Sequence, residues 1–243
     1  MTQFSRTAML FGQMNMERLA ASRVAVFGLG GVGGHCAEAL ARSGIGAIDL
    51  FDGDRVCLSN LNRQLVAAMS TIGRYKAEVM RERILDINPN AKVGVYNLFY
   101  LPDTADTVDL SVYGCVADAV DTVTAKLELV CRAASLSVPI ISCMGAANRL
   151  NASAFEVTDI FKTSNCPLAR VMRNELNKRD IASLRVVCSK EPPVEPVGEP
   201  EEQGRRVLAS NAFVPPAAGL VMAGEVVRIL LSGAPSAQNG GGG

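Results

Sequence analysis

Gly28, Gly30 and Gly33 lie in the segment VFGLGGVGGHCAEALARSGIGAIDLFDGDRVCLSNLNRQ, where an apolar run, Val24–Phe27, feeds into a helical pattern. Lacking side chains, they let backbone amides and a helix N-terminus come close to phosphate oxygens. A bland tight turn uses the same glycines, but the placement between strand and helix favours a nucleotide site. Asp52 ends the next apolar run, where a carboxylate can accept hydrogen bonds from ribose hydroxyls; it would also serve as a loop or cap residue. These features fit hydride transfer from a dinucleotide and ATP chemistry equally.

The residues downstream separate the two. Arg63 in SNLNRQ and Lys76 at the start of a helical pattern supply fixed positive charge. Cleaving a triphosphate moves negative charge onto the departing phosphates, and cations there lower the barrier. Asp118 and Asp121, in VADAVD, follow another buried run and sit where an α/β sheet presents ligands to a hard cation such as Mg2+. Each has a plain alternative: Lys76 on a solvated helix face, Arg63 in an ion pair, Asp121 as a helix N-cap. Their joint placement at strand ends favours ATP.

The elements that must hold these residues follow from hydrophobic rhythm. Strands are expected at 24–27, 47–51, 92–97, 112–117 and 139–143, and helices at 35–44, 75–86 and 124–135. This alternation predicts an α/β fold, a Rossmann-like open, mostly parallel sheet with helices on both faces. Beyond Gly145 the rhythm changes, giving a smaller C-terminal extension: strands at 154–157 and 184–188, a basic helix at 167–179, and a last helix after Pro215-Pro216. An amphipathic stretch, MNMERLAAS, precedes the first strand. The 243 residues, 49% of them hydrophobic, suit a single domain spanning 1–243. A mobile acidic loop without regular structure is expected at 191–206, and a disordered tail at 233–243.

Composition narrows the function classes. No stretch of about 18 uninterrupted apolar residues is present, so no stable membrane span is expected. The opening MTQFSRTAML has no apolar signal core. Seven scattered cysteines without a C-x-x-C pair read as reduced thiols of a cytoplasmic protein, with no structural zinc expected. Between Lys162 and Lys190, seven Lys and Arg residues stand against two acids, and five Glu follow in EPPVEPVGEPEEQ. Lys162, Arg170, Arg173, Lys178, Arg179 and Arg185 either face a nucleic-acid backbone or form a solvated helix face. Cys188 sits in this basic stretch, which would lower a thiol pKa, or packs at a strand end. His35 flanks the first helix.

GLGGVG, DGD, SNLNRQ, the lysine after IGRY and DAVDTVTAK, with RTAMLFG near the start, together resemble the ThiF/MoeB/ubiquitin-activating (E1-like) adenylating superfamily over about residues 6–145. FSRTAMLFG, ERILDINPNAKV, PIISCMGAANRL and FEVTDIFKTSNCPLARVMRNEL resemble its tRNA threonylcarbamoyladenosine dehydratase branch, to about Glu191. The superfamily resemblance implies that Gly31, Asp52, Ser59, Asn60, Arg63, Lys76 and Asp121 contact ATP or its Mg2+, with Asp54, Gln64 and Asp118 completing the ATP-binding candidates. Arg6 would reach the triphosphate bound by a neighbouring protomer, which implies a homodimer. The catalytic candidates are then Arg6, Arg63, Lys76 and Asp121, with Asp121 as the Mg2+ ligand.

The branch resemblance implies tRNA carrying N6-threonylcarbamoyladenosine as substrate. Its carboxylate would be adenylated and then cyclised, releasing pyrophosphate and AMP. A monovalent cation, K+ or Na+, and a sulfur-transfer partner protein are further candidates, although RRVLASNAFVPPAAG holds no cysteine for a sulfur relay. The alternative is an E1-like enzyme activating the C-terminal carboxylate of a ubiquitin-like sulfur-carrier protein.

Overall fold

The structure is a computed structural model that describes residues 2–197, 201–202, 205–206 and 208–232. Six short strands run parallel, and all but the half-exposed edge strand Lys92–Tyr96 are apolar enough to be covered on both faces. They are β1 (Arg23–Phe27), β2 (Ala47–Phe51), β3 (Lys92–Tyr96), β4 (Cys115–Asp118), β5 (Ile140–Cys143) and β7 (Arg185–Ser189). With β6 (Phe155–Asp159) as an antiparallel edge they form a sheet in the order β3-β2-β1-β4-β5-β7-β6.

Successive side chains of a strand point to opposite faces. In β1, Val24 and Val26 face one core while Ala25 and Phe27 face the other. The first core packs under α2 (Gln13–Ala21), α3 (Gly33–Arg42), α4 (Lys76–Ile87) and α7 (Val214–Ser232). On the opposite face Phe27 stacks on Phe51, and Phe51 on Tyr96, each with ring centroids 4.3 Å apart. That face is completed by α5 (Val123–Ser135) and α6 (Pro167–Asn177).

Several boundaries differ from the sequence expectation for local reasons. A first helix, α1 (Ser5–Phe11), precedes the expected amphipathic one, and Gly12 at φ +78° breaks the two apart. Strand β4 begins at Cys115 instead of Val112, because the Asp109 side chain accepts the Ser111 amide and turns 110–112 into a 3-10 turn. Pro215 and Pro216 occupy the first turn of α7, where no intrahelical donor is needed.

Within 191–206, β8 (Glu201–Glu202) pairs with β9 (Arg205–Arg206), which corrects the expectation of no regular structure. The prolines of this stretch stop at Pro200, so backbone donors are again available beyond it. Glu191 is anchored as well, accepting the amides of Leu150 and Asn151. The expected tail at 233–243 lies outside the described residues.

Helix α7 is long and apolar enough by composition to cross a membrane. In the fold it is a core helix. Gly219 lets it approach α3 so closely that a Cβ there would lie 2.3 Å from the Val32 carbonyl oxygen. Its buried Glu225 is held by Arg185 at 2.8 Å and by Arg228.

Candidate nucleotide-binding site

In an open parallel sheet, ligands enter at the carboxyl edge where the strand order reverses. That reversal falls between β1 and β4, whose last residues, Phe27 and Asp118, are paired in register. The glycine turn leaves β1 at this point. Gly28 adopts φ +83°, and a Cβ there would meet the Ala119 carbonyl oxygen at 2.8 Å; one at Gly33 would meet the Gly28 oxygen at 1.8 Å. No side chain fits at either position, so the turn depends on both glycines. Gly31 lies beneath the Arg63 side chain and Pro215 of α7, while Gly30 lies near the Gln64 amide.

Asp52 ties this turn to the end of β2. One carboxylate oxygen accepts the Leu29 amide at 2.6 Å and the other accepts the Asp54 amide at 2.8 Å. Burial pushes its carboxyl above the ordinary range, and the nearby Lys76 ammonium and the two amides act against that rise. Lys76 opens α4 with its side chain almost wholly buried, donating to Asp54 Oδ2 at 2.7 Å. Its expected alternative, a solvated helix face, is thereby removed.

The SNLNRQ segment folds over the turn. Buried Asn60 accepts the Cys57 amide at 3.2 Å, and the Ser59 hydroxyl lies 3.2 Å from Cys57 Sγ. Arg63 is half-buried, and its Nη1 is steadied by the Ser59 carbonyl at 3.0 Å and by Asn62 Oδ1 at 2.8 Å. His35, on α3, has its pKa lowered mainly by burial, with the nearby Arg63 backbone acting against that shift. Gln64 is buried, and its Oε1 has no partner among the described residues. An orphaned polar atom beside a cradle of bare glycines suits a polar ligand.

The two aspartates after β4 diverge. Asp118 is fully buried: Oδ1 accepts the Val120 amide at 3.2 Å and Oδ2 pairs with Lys126 Nζ at 3.0 Å, that lysine also being fully buried. This corrects the expectation of an open cation ligand, because the Asp118 carboxylate has no exposure and its charge is already met by a buried ammonium. Asp121 is exposed on the loop above, with Oδ1 3.3 Å from the Thr122 hydroxyl.

Arg6 is not brought to this cluster within the chain. Exposed on α1, it follows Phe4, whose ring packs on Gly44 beyond the C-terminal end of α3. The glycine turn lies at the other end of that helix, about 15 Å away.

The six basic candidates have different surroundings. Lys178 and Arg179 pair with Glu175, and Arg185 with Glu225. Arg173 is half-buried, donating to the Thr163 carbonyl at 3.1 Å and to its hydroxyl. Lys162 and Arg170 are exposed. Cys188 is buried on β7, not exposed, which corrects the reading of an accessible thiol.

Pro215 and Gly219 carried no functional signal in the sequence, and Lys126 entered it only as the last residue of DAVDTVTAK. The spacing of Asp118 and Lys126, eight residues apart across a strand-to-helix turn, was the one available clue to the buried ion pair.

A doubly wound sheet, a glycine turn at its switch point, and an acid and a lysine locked beside that turn define a nucleotide-binding enzyme fold. The chain belongs to the ThiF family, whose model matches residues 4–240. It is 42% identical over 240 residues to the tRNA threonylcarbamoyladenosine dehydratase of Bacillus subtilis, covering 94% of both chains. Over 152 residues it is 35% identical to the molybdopterin-synthase adenylyltransferase of Salmonella typhimurium, covering 62% of this chain and 60% of that one. Among solved structures, the E. coli tRNA N6-threonylcarbamoyladenosine dehydratase in complex with AMP superposes with a TM-score of 0.87 at 33% identity, covering 95% of this chain and 94% of that one. The same E. coli enzyme in complex with ATP gives a TM-score of 0.85 at 34% identity, with the same coverage.

Proposed function

We propose that this protein is an ATP-dependent tRNA threonylcarbamoyladenosine dehydratase. The observation carrying the proposal is the bare glycine cradle at the switch point, flanked by Arg63, Lys76 and the orphaned Gln64 oxygen, in a chain similar along its length to dehydratases and to a structure holding ATP.

A carboxylate is a poor acylating group because its oxygen leaves badly. Its attack on the α-phosphate of ATP, with pyrophosphate departing, converts that oxygen into part of AMP, a good leaving group. Amides of the glycine turn would bind the phosphates, Asp52 the ribose, and Arg63 and Lys76 the charge that grows on departing pyrophosphate. Arg6 would come from a second protomer in a homodimer. Asp121, exposed at the mouth of the site with an oxygen free to turn outward, suits a Mg2+ that would neutralise phosphate charge. Asp118 would act through the loop and not as a ligand. A nucleophile within the threonylcarbamoyl group then closes the ring and expels AMP, so proximity replaces a protein nucleophile. Lys162 and Arg170, the two basic candidates exposed on α6 and just before it, would face the tRNA backbone. A cytoplasmic setting fits these substrates.

Pyrophosphate release measured with threonylcarbamoyladenosine-bearing tRNA, with unmodified tRNA and with a sulfur-carrier protein tests the reading. The expected result is release with the modified tRNA alone. Equal release with unmodified tRNA would refute the dehydratase assignment, and release with the carrier protein would transfer it to the adenylyltransferase class.

A further inference from the structure

Residues 208–213 lead into α7, and their hydrogen bonds reach loops on both sides of the switch point. Asn148, on the loop that leaves β5, holds Ala209 twice: its amide donates to the Ala209 carbonyl and its Oδ1 accepts the Ala209 amide, each at 2.8 Å. The Asn148 backbone is left-handed, at φ 55°. Asn211 Nδ2 donates to the Arg149 carbonyl at 3.0 Å, and its Oδ1 accepts the Phe213 and Val214 amides at 3.2 and 2.8 Å, capping α7. From the other side, Asn62 of SNLNRQ donates from Nδ2 to the Ser210 carbonyl at 3.1 Å. The glycine turn beneath SNLNRQ follows β1, and β4 lies between β1 and β5. Two strand spacings are about 10 Å, which is also the reach of about three extended residues. Residues 209–211 are just long enough to strap the mouth of the site.

Asn62 joins this strap to Arg63. Its Oδ1 accepts Arg63 Nη1 at 2.8 Å while its Nδ2 is spent on the Ser210 carbonyl. The amide cannot be turned over, because that would set two donors together at Arg63 and two acceptors together at Ser210. The Ser59 carbonyl takes the same Nη1 at 3.0 Å. The stem of Arg63 lies over Gly31, where a Cβ would be 3.4 Å from Arg63 Cγ and 3.0 Å from Pro215 Cβ. The guanidinium is therefore held at stem and tip, with no protein acceptor on Nη2 or Nε among the described residues. A loose arginine loses much rotamer freedom when it binds a phosphate. One arranged beforehand loses less and needs no rearrangement as charge moves in the transition state.

We propose that Asn62 is a positioning residue, which uses the 209–211 strap as its anchor to hold the Arg63 guanidinium toward the triphosphate. The proposal rests on the ATP reading of the site. Asn62 acts through Arg63 and not on a phosphate. Asn148, at the far end of the strap, acts on the same guanidinium by keeping the Ser210 carbonyl in place.

A double-mutant cycle on the ATP affinity of the full-length protein, read by titration calorimetry without tRNA, provides the test. Arg63→Ala should weaken ATP binding on the order of 10–100-fold, the loss of a charge-assisted contact. Asn62→Ala should weaken it about three- to tenfold on its own, and less than about twofold in the Arg63→Ala background. Asn148→Gly keeps the left-handed backbone and removes the side chain that holds Ala209, and its loss should depend on Arg63 in the same way. With threonylcarbamoyladenosine-bearing tRNA, the kcat of pyrophosphate release should fall in Asn62→Ala while the KM for tRNA stays within about twofold. Equal losses of ATP affinity from Asn62→Ala with and without Arg63, or a loss confined to the KM for tRNA, would overturn the positioning role. Should Asn148→Gly fail to fold, the cycle at exposed Asn62 decides alone. An unaltered protein that bound no ATP would instead refute the nucleotide reading itself.

Discussion

Lys126→Met removes one charge from a pair in which neither side chain has any exposure, and leaves the Asp118 carboxylate facing an apolar chain of similar length. Breaking a buried ion pair on one side costs about 3–5 kcal/mol, because the remaining charge keeps its desolvation cost and loses its partner. At roughly 2–4 °C per kcal/mol for a protein of this size, the melting temperature should drop by about 6–20 °C. Asp118→Asn alone leaves the Lys126 ammonium stranded and should cost a similar amount. Asp118→Asn combined with Lys126→Met strands neither charge, and the amide oxygen of the new side chain can still accept the Val120 amide that shapes the loop beneath Asp121. The double variant should therefore be more stable than either single one, with a coupling energy of about 0.5–3 kcal/mol. Thermal melts by circular dichroism, with and without ATP, read both stability and the nucleotide-induced shift. A Lys126→Met melt within about 2 °C of the parent, or a double variant less stable than both singles, would refute the account of Asp118 and Lys126 as a mutually dependent clamp.

Gly33→Ala should abolish the ATP-induced melting shift, since its Cβ would fall 1.8 Å from the Gly28 oxygen; an unchanged shift would show that the turn can open at little cost. Mixing Arg6→Ala with Lys76→Ala subunits should restore part of the pyrophosphate release that each lacks alone, through sites with both residues intact; absence of rescue would remove Arg6 from a neighbouring site. Burial raises the Asp52 carboxyl in the folded protein, so the cost of its buried charge exists above that raised pKa and is relieved as pH falls through it. ATP affinity, which needs the ionised form to accept ribose hydroxyls, should weaken on acidification at a pH above the ordinary carboxylate range, and titration calorimetry of Asp52→Asn should lack that step. Lys162→Ala and Arg170→Ala should each lower the salt slope of tRNA binding by about one while leaving ATP binding intact; unchanged slopes would return them to a solvated face.

Periodicity and residue type determined much of this protein before any contact was known. Apolar runs such as Ala47–Phe51 and the strand-glycine-helix order at 24–33 are local facts, read correctly because a doubly buried strand and a glycine turn depend on residues adjacent in the chain. The nucleotide chemistry was legible in the same way, since the glycines, Asp52, Arg63 and Lys76 are types that few other roles require together.

Which of these groups is available to a ligand was decided only by tertiary packing. Asp118 and Asp121 look alike in VADAVD, yet one is consumed by Lys126 from the following helix and the other is left outside. Arg185 resembles its basic neighbours, yet Glu225 arrives from α7, forty residues away, and claims it. Cys188 stands in the basic stretch that would activate a thiol, yet the packing around β7 buries it. The physical reason is the same in each case: charge and hydrogen bonding are settled by whatever lies within a few ångströms, and those neighbours come from distant parts of the chain.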